Sequence, residues 1–343
     1  MEALTQAPHL MLAVVHPEDV GAVRRRVSRM AADSGVEGAL VPKLELVVTE
    51  LATNLVRHAA GGGSVLARVD GNGGVEVLSV DGGPGIRDVS LALSGDGAGG
   101  GADGGLGCGL AAVRRLADDF DVYTAWGRGT VVLARFSPDV EAAPLRRWGG
   151  VSVALDGGEE CGDGWAIAES DGRTTALVVD GLGHGSGAAP AARAATTAFL
   201  DDADGDLEAL AHRIHAAMRA TRGGAAALCR LDPRRRSAEF VGVGNVAGRL
   251  LGGEGSQMML SHNGTLGTEL APPRIRRMSY ALDGAGALVM SSDGVRDGFE
   301  LSAHPGLLEH DPLVVAAAIH SACSRGTDDA TVVVVRPMAE DAA

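Results

Sequence analysis

Four aspartates in the C-terminal half stand in short glycine-containing or acidic motifs, and their side chains could hold divalent cations. They are Asp163 in CGDGW, Asp180 in DGLGHG, Asp293 in SSDGV and Asp328 in TDDATVVVV. Carboxylate oxygens are the hard ligands that Mg²⁺ and Mn²⁺ prefer. Two such ions about 4 Å apart could together supply the nucleophile and the charge stabilisation for hydrolysis of a phosphomonoester. A single Asp-Gly pair is usually only a turn, so the prediction depends on all four meeting in one pocket.

A second set of polar residues, in the N-terminal half, could bind a nucleotide. Glu50 and Asn54 are four residues apart on a predicted helix, which places a carboxylate and an amide oxygen on one face, as a metal-bound triphosphate requires. Asp81 ends a predicted strand and opens DGGPG, where its carboxylate could accept a hydrogen bond from an amino group. The sequence GLGCGL, residues 105–110, leads into a helix whose N-terminal amides could bind phosphates. A P-loop is excluded, because Lys43 is the only lysine and GxxxxGK[ST] does not occur.

Hydrophobic periodicity predicts the elements that would position these residues. In the N-terminal half we expect helices at 17–30, 42–59 and 110–118, and strands at 10–15, 64–69, 75–80, 120–123 and 129–136. The glycine-rich segment 82–109 is predicted to be a mobile loop over a ligand. In the C-terminal half we expect strands at 151–155, 164–169, 174–179, 225–231, 238–243, 248–251, 287–291 and 330–336, and helices near 188–201, 207–219 and 312–323. The four aspartates lie at the ends of four of these strands, which predicts that they converge.

Length and composition predict two globular domains, at residues 1–137 and 149–343 with a linker at 138–148. The net charge of −14 and the 3% aromatic content argue against nucleic acid as a partner. The four cysteines lack CxxC spacing, so neither a zinc site nor a disulfide framework is indicated. The chain lacks a basic leader and a run of eighteen apolar residues, so we expect a soluble cytoplasmic protein without a membrane partner.

The N-terminal motifs, taken in order, resemble the N, G1, G2 and G3 boxes of the GHKL (Bergerat-fold) ATPases. The corresponding sequences are ELATN, DGGPG, GLGCGL and GRGT. Within that family, LATNLVRHA and GLGCGLAAVRRLADDFDVYT are most similar to the anti-sigma serine/threonine kinases of the RsbT and RsbW type. The resemblance covers residues 8–137 and implies an ATP-dependent protein kinase.

The same resemblance implies a role for each motif residue. Glu50 would polarise the attacking hydroxyl, Asn54 would bind Mg²⁺ and Asp81 would recognise the adenine of ATP. Thr130 would add a hydrogen bond near the base. The glycines that would shape the nucleotide lid are Gly83, Gly85, Gly105, Gly107 and Gly109. Phosphoryl transfer requires chiefly alignment and charge neutralisation, so this short set of groups would suffice.

The C-terminal motifs resemble the SpoIIE/PP2C-like phosphatases, especially the RsbX-type branch, over residues 149–336. Between the four aspartate motifs, RGGAAALCRLD, VGVGNVAGRLL and HNGTLG also carry the resemblance. It implies two Mn²⁺ or Mg²⁺ ions, both bridged by Asp180. The Gly181 carbonyl and Asp163 would complete one ion's ligands, and Asp293 with Asp328 would hold the other. Asp329 is a neighbouring candidate.

Several residues near these motifs keep two interpretations. His184 could protonate the leaving serine oxygen, or it could be a surface histidine in a glycine turn. Asn245 and Asn263 could line a substrate groove, or they could be turn residues. Larger PP2C enzymes carry a phosphate-binding arginine at the start of the domain, and this chain does not. Three other arginines could serve instead: Arg173, Arg193 and Arg222.

The sequence therefore predicts an α+β protein: a GHKL α/β sandwich followed by a PP2C-like β-sandwich flanked by helices. We expect a partner-switching regulator that combines ATP binding and kinase activity with metal-dependent phosphoserine or phosphothreonine phosphatase activity. The expected substrate is a STAS-domain anti-sigma antagonist or a stressosome-like phosphoprotein. The alternative is a non-catalytic switch, in which ATP controls partner binding by the first domain and docking regulates the phosphatase domain. The sequence leaves the oligomeric state open.

Overall fold

The computed structural model describes residues 2–71, 73–94, 109–137, 146–155, 157, 160–252, 255–268 and 273–337. The chain divides into two compact units. We call His9–Leu145 with Ser302–His310 the first unit. The second unit consists of Met1–Pro8, Arg146–Leu301 and Asp311–Ala343.

The first unit is a five-stranded antiparallel sheet with helices on one face. The strands lie in the order β2-β3-β4-β6-β5: β2 (Leu10–Val14), β3 (Gly63–Val69), β4 (Val75–Asp81), β6 (Gly129–Phe136) and β5 (Asp119–Ala125). The helices are α1 (Pro17–Asp33), α2 (Leu40–His58), α3 (Val89–Ser94) and α4 (Gly109–Leu116). Helix α2 buries Leu44, Val47, Val48, Leu51 and Leu55, the positions that recur every three to four residues. This stripe packs on the sheet and forms the core of the unit.

The second unit is a sandwich of two antiparallel sheets covered by helices. One sheet has the order β1 (Glu2–Thr5), β8 (Asp163–Ser170), β9 (Arg173–Gly181), β10 (Gly224–Asp232), β11 (Ser237–Val243) and β14 (Met278–Ala281). The other has the order β13 (Gly255–Met259), β12 (Ala247–Gly252), β15 (Ala285–Ser291), β16 (Ala330–Val335) and β7 (Trp148–Val153). Helices α5 (Ala189–Asp201) and α6 (Leu207–Ala217) pack on the first sheet, and α7 (Pro312–Cys323) packs on the second.

The core of the sandwich lies between its two sheets. Trp165 and Phe240 from one sheet pack with Leu288 and Val333 from the other, and all four are buried. Gly150 lies directly against the Trp165 ring, where a Cβ atom would come within 2.8 Å of the ring carbons. The absence of a side chain at this position therefore lets the large indole fit between the sheets.

Each unit includes a short segment from the other half of the chain. The boundaries of the units therefore differ from the sequence-based boundaries at 137 and 149. Strand β1 forms a ladder with β8, so the first residues of the chain belong to the second unit. Residues 302–310 belong to the first unit, where His304 Nδ1 and Tyr123 Oη share a hydrogen bond of 3.2 Å. Of the linker predicted at 138–148, residues 138–145 lie outside the described residues, and β7 already begins at Trp148.

The loop predicted at 82–109 contains the short helix α3, and its residues 95–108 lie outside the described part of the chain. Within the described ranges, none of the helices has the length and apolar character needed to cross a bilayer.

Candidate functional site

The two-sheet architecture brings the four predicted metal-ligating aspartates to one end of the second unit. Asp163 begins β8 and Asp180 is the last residue but one of β9, and the two are direct cross-strand partners. In the other sheet, β15 and β16 are antiparallel neighbours, with Asp293 just after the end of β15 and Asp328 just before the start of β16. Each sheet thus contributes two aspartates from adjacent strand ends.

The carboxylates are close enough to act on one another electrostatically. Burial raises the pKa of Asp180 above its ordinary value, and the charges of Asp163, Asp293 and Asp328 raise it further. Burial also raises the pKa of Asp163, against hydrogen bonds from two hydroxyl side chains that lower it. The pKa of Asp328 is raised as well, first by burial. Carboxylates that destabilise each other's ionised form in this way are stabilised by a bound cation.

The chemistry of these donors suits divalent cations. Asp180 Oδ2 is buried and accepts no hydrogen bond within the described residues, which leaves it available as a ligand. In the described part of the chain, no three His, Cys, Asp or Glu side chains form a group that could hold an ion. The set predicted for the first ion needs only two carboxylates, Asp163 and Asp180, with the Gly181 carbonyl. The set predicted for the second ion requires the side chains of Asp293 and Asp328 to close around it.

Hydrogen bonds from neighbouring residues orient the predicted metal ligands. Ser292 Oγ donates to Asp163 Oδ2 at 2.6 Å, and the backbone N–H of Thr331 donates to Ser292 Oγ at 3.0 Å. The amide of Asn245 donates to Asp293 Oδ2, and Arg325 Nε donates to the Asp293 carbonyl at 2.8 Å. Such outer contacts orient ligands and tune their affinity for a metal.

Asp329 has a different role from its neighbour Asp328. Its carboxylate accepts three backbone N–H groups, from Leu155 at 2.8 Å, Gly162 at 2.5 Å and Gly185 at 2.9 Å. The side chain is buried, with 2% of the residue exposed. It therefore ties together the segment before Asp163 and the glycine loop after Gly181, and its oxygens are occupied by the backbone.

The first unit places Asp81 and Thr130 side by side at the end of β4. The two are cross-strand partners between β4 and β6, and Asp81 Oδ1 accepts the backbone N–H of Gly83 at 2.7 Å. Burial raises the pKa of Asp81, while hydrogen bonds from the Gly83 and Thr130 backbones lower it. Thr124 Oγ1 lies 3.2 Å from Thr130 Oγ1 and accepts the Ile86 N–H at 2.8 Å. These contacts fix the DGGPG turn against the β5–β6 hairpin.

Glycines are required where this turn approaches its neighbours. Gly129 has φ of +92°, and a Cβ atom there would lie 1.8 Å from the Asp81 carbonyl oxygen. Gly85 has φ of +82°, and its Cβ would lie 2.7 Å from the Ala125 carbonyl oxygen. A Cβ on Gly83 would lie 2.8 Å from Asp81 Oδ1. Larger residues would therefore displace the aspartate that is predicted to recognise adenine.

The remaining predicted nucleotide ligands lie on helices. Glu50 and Asn54 are both half-buried on α2, one turn apart. Gly109 begins α4 with φ of +45°. Gly105 and Gly107 lie outside the described residues, so this part of the predicted lid stays a prediction.

Fold and sites together define a protein of two modules: an ATPase-type α/β sandwich and a PP2C-type sandwich with an acidic, metal-suited end. The family model of the histidine kinase-like ATPase domain matches residues 14–136. The model of the stage II sporulation protein E (SpoIIE) family matches residues 170–337, a range that begins after Asp163. The serine/threonine-protein kinase RsbT of Bacillus subtilis (strain 168) is 31% identical over 118 residues, which are 34% of this chain and 86% of the relative. The chain therefore belongs, through its first unit, to the RsbT family of kinase-like ATPases, and it carries a SpoIIE-type PP2C phosphatase domain.

The chain is also similar to solved structures. A structure described as "The bacterial stressosome: a modular system that has been adapted to control secondary messenger signaling" matches with a TM-score of 0.50 and 29% identity, covering 55% of this chain and 98% of the other. The PP2C phosphatase domain of SpoIIE from Bacillus subtilis, with a fragment of its regulatory domain, matches with a TM-score of 0.48 and 18% identity. That match covers 92% of this chain and 93% of the other.

Sequence reasoning missed the residues that support the phosphatase site. In the sequence, Ser292 is part of the SSDGV motif and Asp329 is the neighbour of Asp328, and neither position by itself indicates a supporting role. The adjacency of Ser292 to the predicted ligand Asp293 was the one available signal, because carboxylates that bind metals are themselves hydrogen-bonded by nearby groups. The partners of Asp329 are 144 to 174 residues away in sequence, so no local pattern indicates them.

Proposed function

We propose that the second unit hydrolyses phosphoserine or phosphothreonine on a partner protein with the help of two Mn²⁺ or Mg²⁺ ions. The observation that carries this proposal is the position of two aspartate pairs at adjacent strand ends, Asp163 with Asp180 and Asp293 with Asp328. Burial and the charges of the other three raise the pKa of Asp180, which has a buried oxygen that accepts no described hydrogen bond. When bound, the ions supply positive charge to the phosphoryl oxygens and lower the pKa of water.

In this proposal, different residues of the second unit bind the ions, orient the carboxylates and donate a proton. Asp180, whose pKa is raised by burial and by the charges of the other three aspartates, would contact both ions. Asp163 and the Gly181 carbonyl would hold one ion, and Asp293 with Asp328 would hold the other. Ser292 and Asn245 fix the orientation of two of these carboxylates. His184 is exposed in the loop after Gly181, and its charge lowers the pKa of Asp328, which burial raises. In this proposal it would donate a proton to the leaving oxygen.

In the first unit, we assign ATP binding to the cleft between α2 and the DGGPG turn. Asp81 would accept a hydrogen bond from the adenine amino group, and Thr130 would support it from β6. Asn54 would hold a Mg²⁺ ion at the phosphates, and Glu50, one helical turn away on α2, would orient the hydroxyl that attacks the γ-phosphate. Gly83, Gly85 and Gly109 would let the backbone approach the nucleotide.

The two units would act on one small regulatory protein in opposite senses. A kinase-like module related to RsbT, joined to a phosphatase module, suits a partner-switching circuit whose switch is a phosphorylated serine or threonine. We assign the substrate to the STAS-domain class, in keeping with the similarity to a structure from the bacterial stressosome. Tethering raises the effective concentration of each module at a shared target. Because ATP is the substrate of the first unit, we place the protein in the cytoplasm.

The phosphatase assignment is tested by turnover of a phosphoserine peptide in the presence of Mn²⁺. Asp180→Asn and Asp293→Asn should each reduce kcat by at least about 100-fold, because each removes charge from the predicted ion ligands. Asp204→Asn is the matched control, since Asp204 pairs with Arg173 on the surface and should leave turnover unchanged. Full activity in both ligand variants would refute the assignment.

The alternative function, a non-catalytic switch, differs in one measurable product. Incubation of the full chain with γ-labelled ATP and a STAS-domain protein should label that protein if the first unit is a kinase. A switch that only binds would leave the partner unlabelled while ATP still changes its affinity for the chain. Glu50→Gln is the informative variant, because it should abolish labelling and keep ATP binding.

A further inference from the structure

An open groove lies on the outer face of the β13-β12-β15-β16-β7 sheet, close to Asp293. Leu288 of β15 packs in the core of the sandwich, so its neighbour Val289 faces the opposite side of the sheet, where it lines the groove together with Ser291. Helix α7 contributes Ile319 to the lining. The groove is therefore formed by regular elements of the second unit, on the side of the sheet that faces away from the core.

Sequence and hydrogen bonding place this groove next to one of the predicted metal ligands. Ser291 and Val295, which line it, are each two residues from Asp293. Ala247 also lines it and is two residues from Asn245, whose amide donates to Asp293 Oδ2. A substrate whose phosphate lies at the predicted metal site would therefore have neighbouring residues within reach of the groove.

Two arginines give the groove a positive charge. Arg249 on β12 and Arg296, three residues after Asp293, both line it, together with the carboxylate of Asp297. Burial raises the pKa of the Cys323 thiol and both guanidinium groups lower it, so both positive charges act near the same place. The chain as a whole carries a net charge of −14, so this local excess of positive charge is opposite in sign to that of the protein.

Arg249 has the weaker partners of the two arginines. Its Nη2 lies 3.9 Å from Asp297 Oδ1, and its Nε donates to Met258 Sδ, a weak acceptor, at 3.2 Å. The Asp297 side chain is 75% exposed, and a long ion pair with such an exposed carboxylate contributes little. Arg296 instead donates to two backbone carbonyls at the C-terminal end of α7. Arg249, with 19% of its side chain exposed, is therefore a partly buried cation that can accept a second carboxylate as a partner.

We infer that the groove binds an acidic side chain of the substrate protein, an aspartate or glutamate near the phosphorylated serine or threonine, through Arg249. Four residues separate Asn245 from Arg249, at most about 13 Å of extended chain, which is the length of three or four residues of an extended peptide. The apolar side chains around the guanidinium strengthen its attraction for a carboxylate. Positive charge here also offsets the repulsion that an acidic substrate meets from the nearby aspartates. The inference rests on the proposed phosphatase function and adds to it the kind of sequence that the site prefers.

Hydrolysis of two phosphoserine peptides by the Mn²⁺-loaded full chain, at low ionic strength, tests the inference. One peptide carries glutamate at the third and fourth positions on both sides of the phosphoserine, and the other carries alanine there. The wild type should show a KM about tenfold lower for the glutamate peptide and a similar kcat for both, because the charge-assisted bond to Arg249 forms away from the reacting group. Arg249→Ala should make the two KM values equal. Its hydrolysis of p-nitrophenyl phosphate, which has no flanking residues, should stay normal.

Further variants separate loss of the charge from loss of the fold. Asp297→Asn removes the competing carboxylate and should widen the preference for the glutamate peptide about threefold, a gain that a folding defect cannot produce. Arg249→Glu should reverse the preference, in favour of a peptide with lysine at the same positions. Arg235→Ala is the matched control, because Arg235 is an exposed arginine of the same unit that pairs with Asp232, and the preference should be unchanged.

Equal KM values for the two peptides in the wild type, with p-nitrophenyl phosphate hydrolysed, would overturn the inference and leave the proposed function standing. A chain that hydrolyses neither the peptides nor p-nitrophenyl phosphate would contradict the proposed function. Anisotropy titrations with the labelled peptides would then still decide the inference, since binding does not depend on turnover. Tighter binding of the glutamate peptide, lost in Arg249→Ala, would support the inference, and equal binding of both peptides would overturn it.

Discussion

Replacement of Asp329 by asparagine should loosen three segments of the second unit at once. In the native protein Oδ2 accepts the N–H groups of Gly162 and Gly185, and Oδ1 accepts that of Leu155. Asparagine offers only one acceptor oxygen and no charge. Whichever way its amide turns, at least one of the three N–H groups, all buried or partly buried, loses its partner and faces the amide NH₂ group.

The size of the effect follows from the number of bonds changed. A buried donor left without a partner costs about 1–3 kcal/mol. The bonds that remain lose their charge assistance, which contributes roughly half of the strength of a hydrogen bond to a carboxylate. We therefore expect Asp329→Asn to lower the free energy of unfolding of the second unit by about 2–5 kcal/mol.

Urea unfolding followed by tryptophan fluorescence, with Trp126 of the first unit replaced by phenylalanine, would measure this change, because Trp165 is buried in the second unit. Asp204→Asn, which removes a surface ion pair with Arg173, should change the free energy of unfolding by less than about 0.5 kcal/mol. Amide hydrogen exchange should also accelerate in the peptides that contain Gly162 and Gly185. A free energy of unfolding for Asp329→Asn equal to that of the control would refute the proposed role of this carboxylate.

Three further predictions have defined outcomes. Asn54→Ala and Asp81→Ala should each weaken ATP binding at least about tenfold in a fluorescent-nucleotide titration, and unchanged titrations in both would remove the nucleotide site. Ser292→Ala should weaken Mn²⁺ binding about tenfold in a calorimetric titration by releasing a ligand carboxylate, whereas native affinity would show that its hydroxyl is dispensable. Burial lowers the pKa of His320 to about 4, so between pH 6.5 and 4 the unfolded chain takes up a proton that the folded chain does not. Stability should fall by up to about 3 kcal/mol as pH drops through this window, and His320→Leu should flatten that dependence in urea titrations; an unaltered slope would place the proton elsewhere.

Local patterns were sufficient to predict most of the fold. The three-to-four spacing of Leu44, Val47, Leu51 and Leu55 predicted α2, and alternating or continuous apolar runs predicted most of the long strands. The ends of four strands predicted where the acidic residues would meet, and the structure brings them to one end of the sandwich. The family resemblances were confirmed for both halves.

Long-range contacts could not be predicted in this way. Strand β1 pairs with β8 across more than 150 residues, and its four residues are too few to show a period. The short edge strands β13 and β14 were missed for the same reason. The roles of Ser292 and Asp329 depend on partners more than 100 residues away, so their side chains had no local signature. The metal and nucleotide ligand assignments themselves stay predictions.

Because each unit includes a segment from the other half of the chain, a cut at one residue does not yield two complete units. A fragment that begins at residue 149 would lack β1, so the backbone groups along the edge of β8 would be unpaired. Copies of the fragment could then aggregate through this exposed strand edge. A fragment ending at residue 137 would lose His304 and His310, which hydrogen-bond to Tyr123 and Asp121. Separate expression of either half therefore needs the missing peptide supplied in trans or grafted on, and aggregation of a simple truncation would say little about that half's intrinsic capacity to fold.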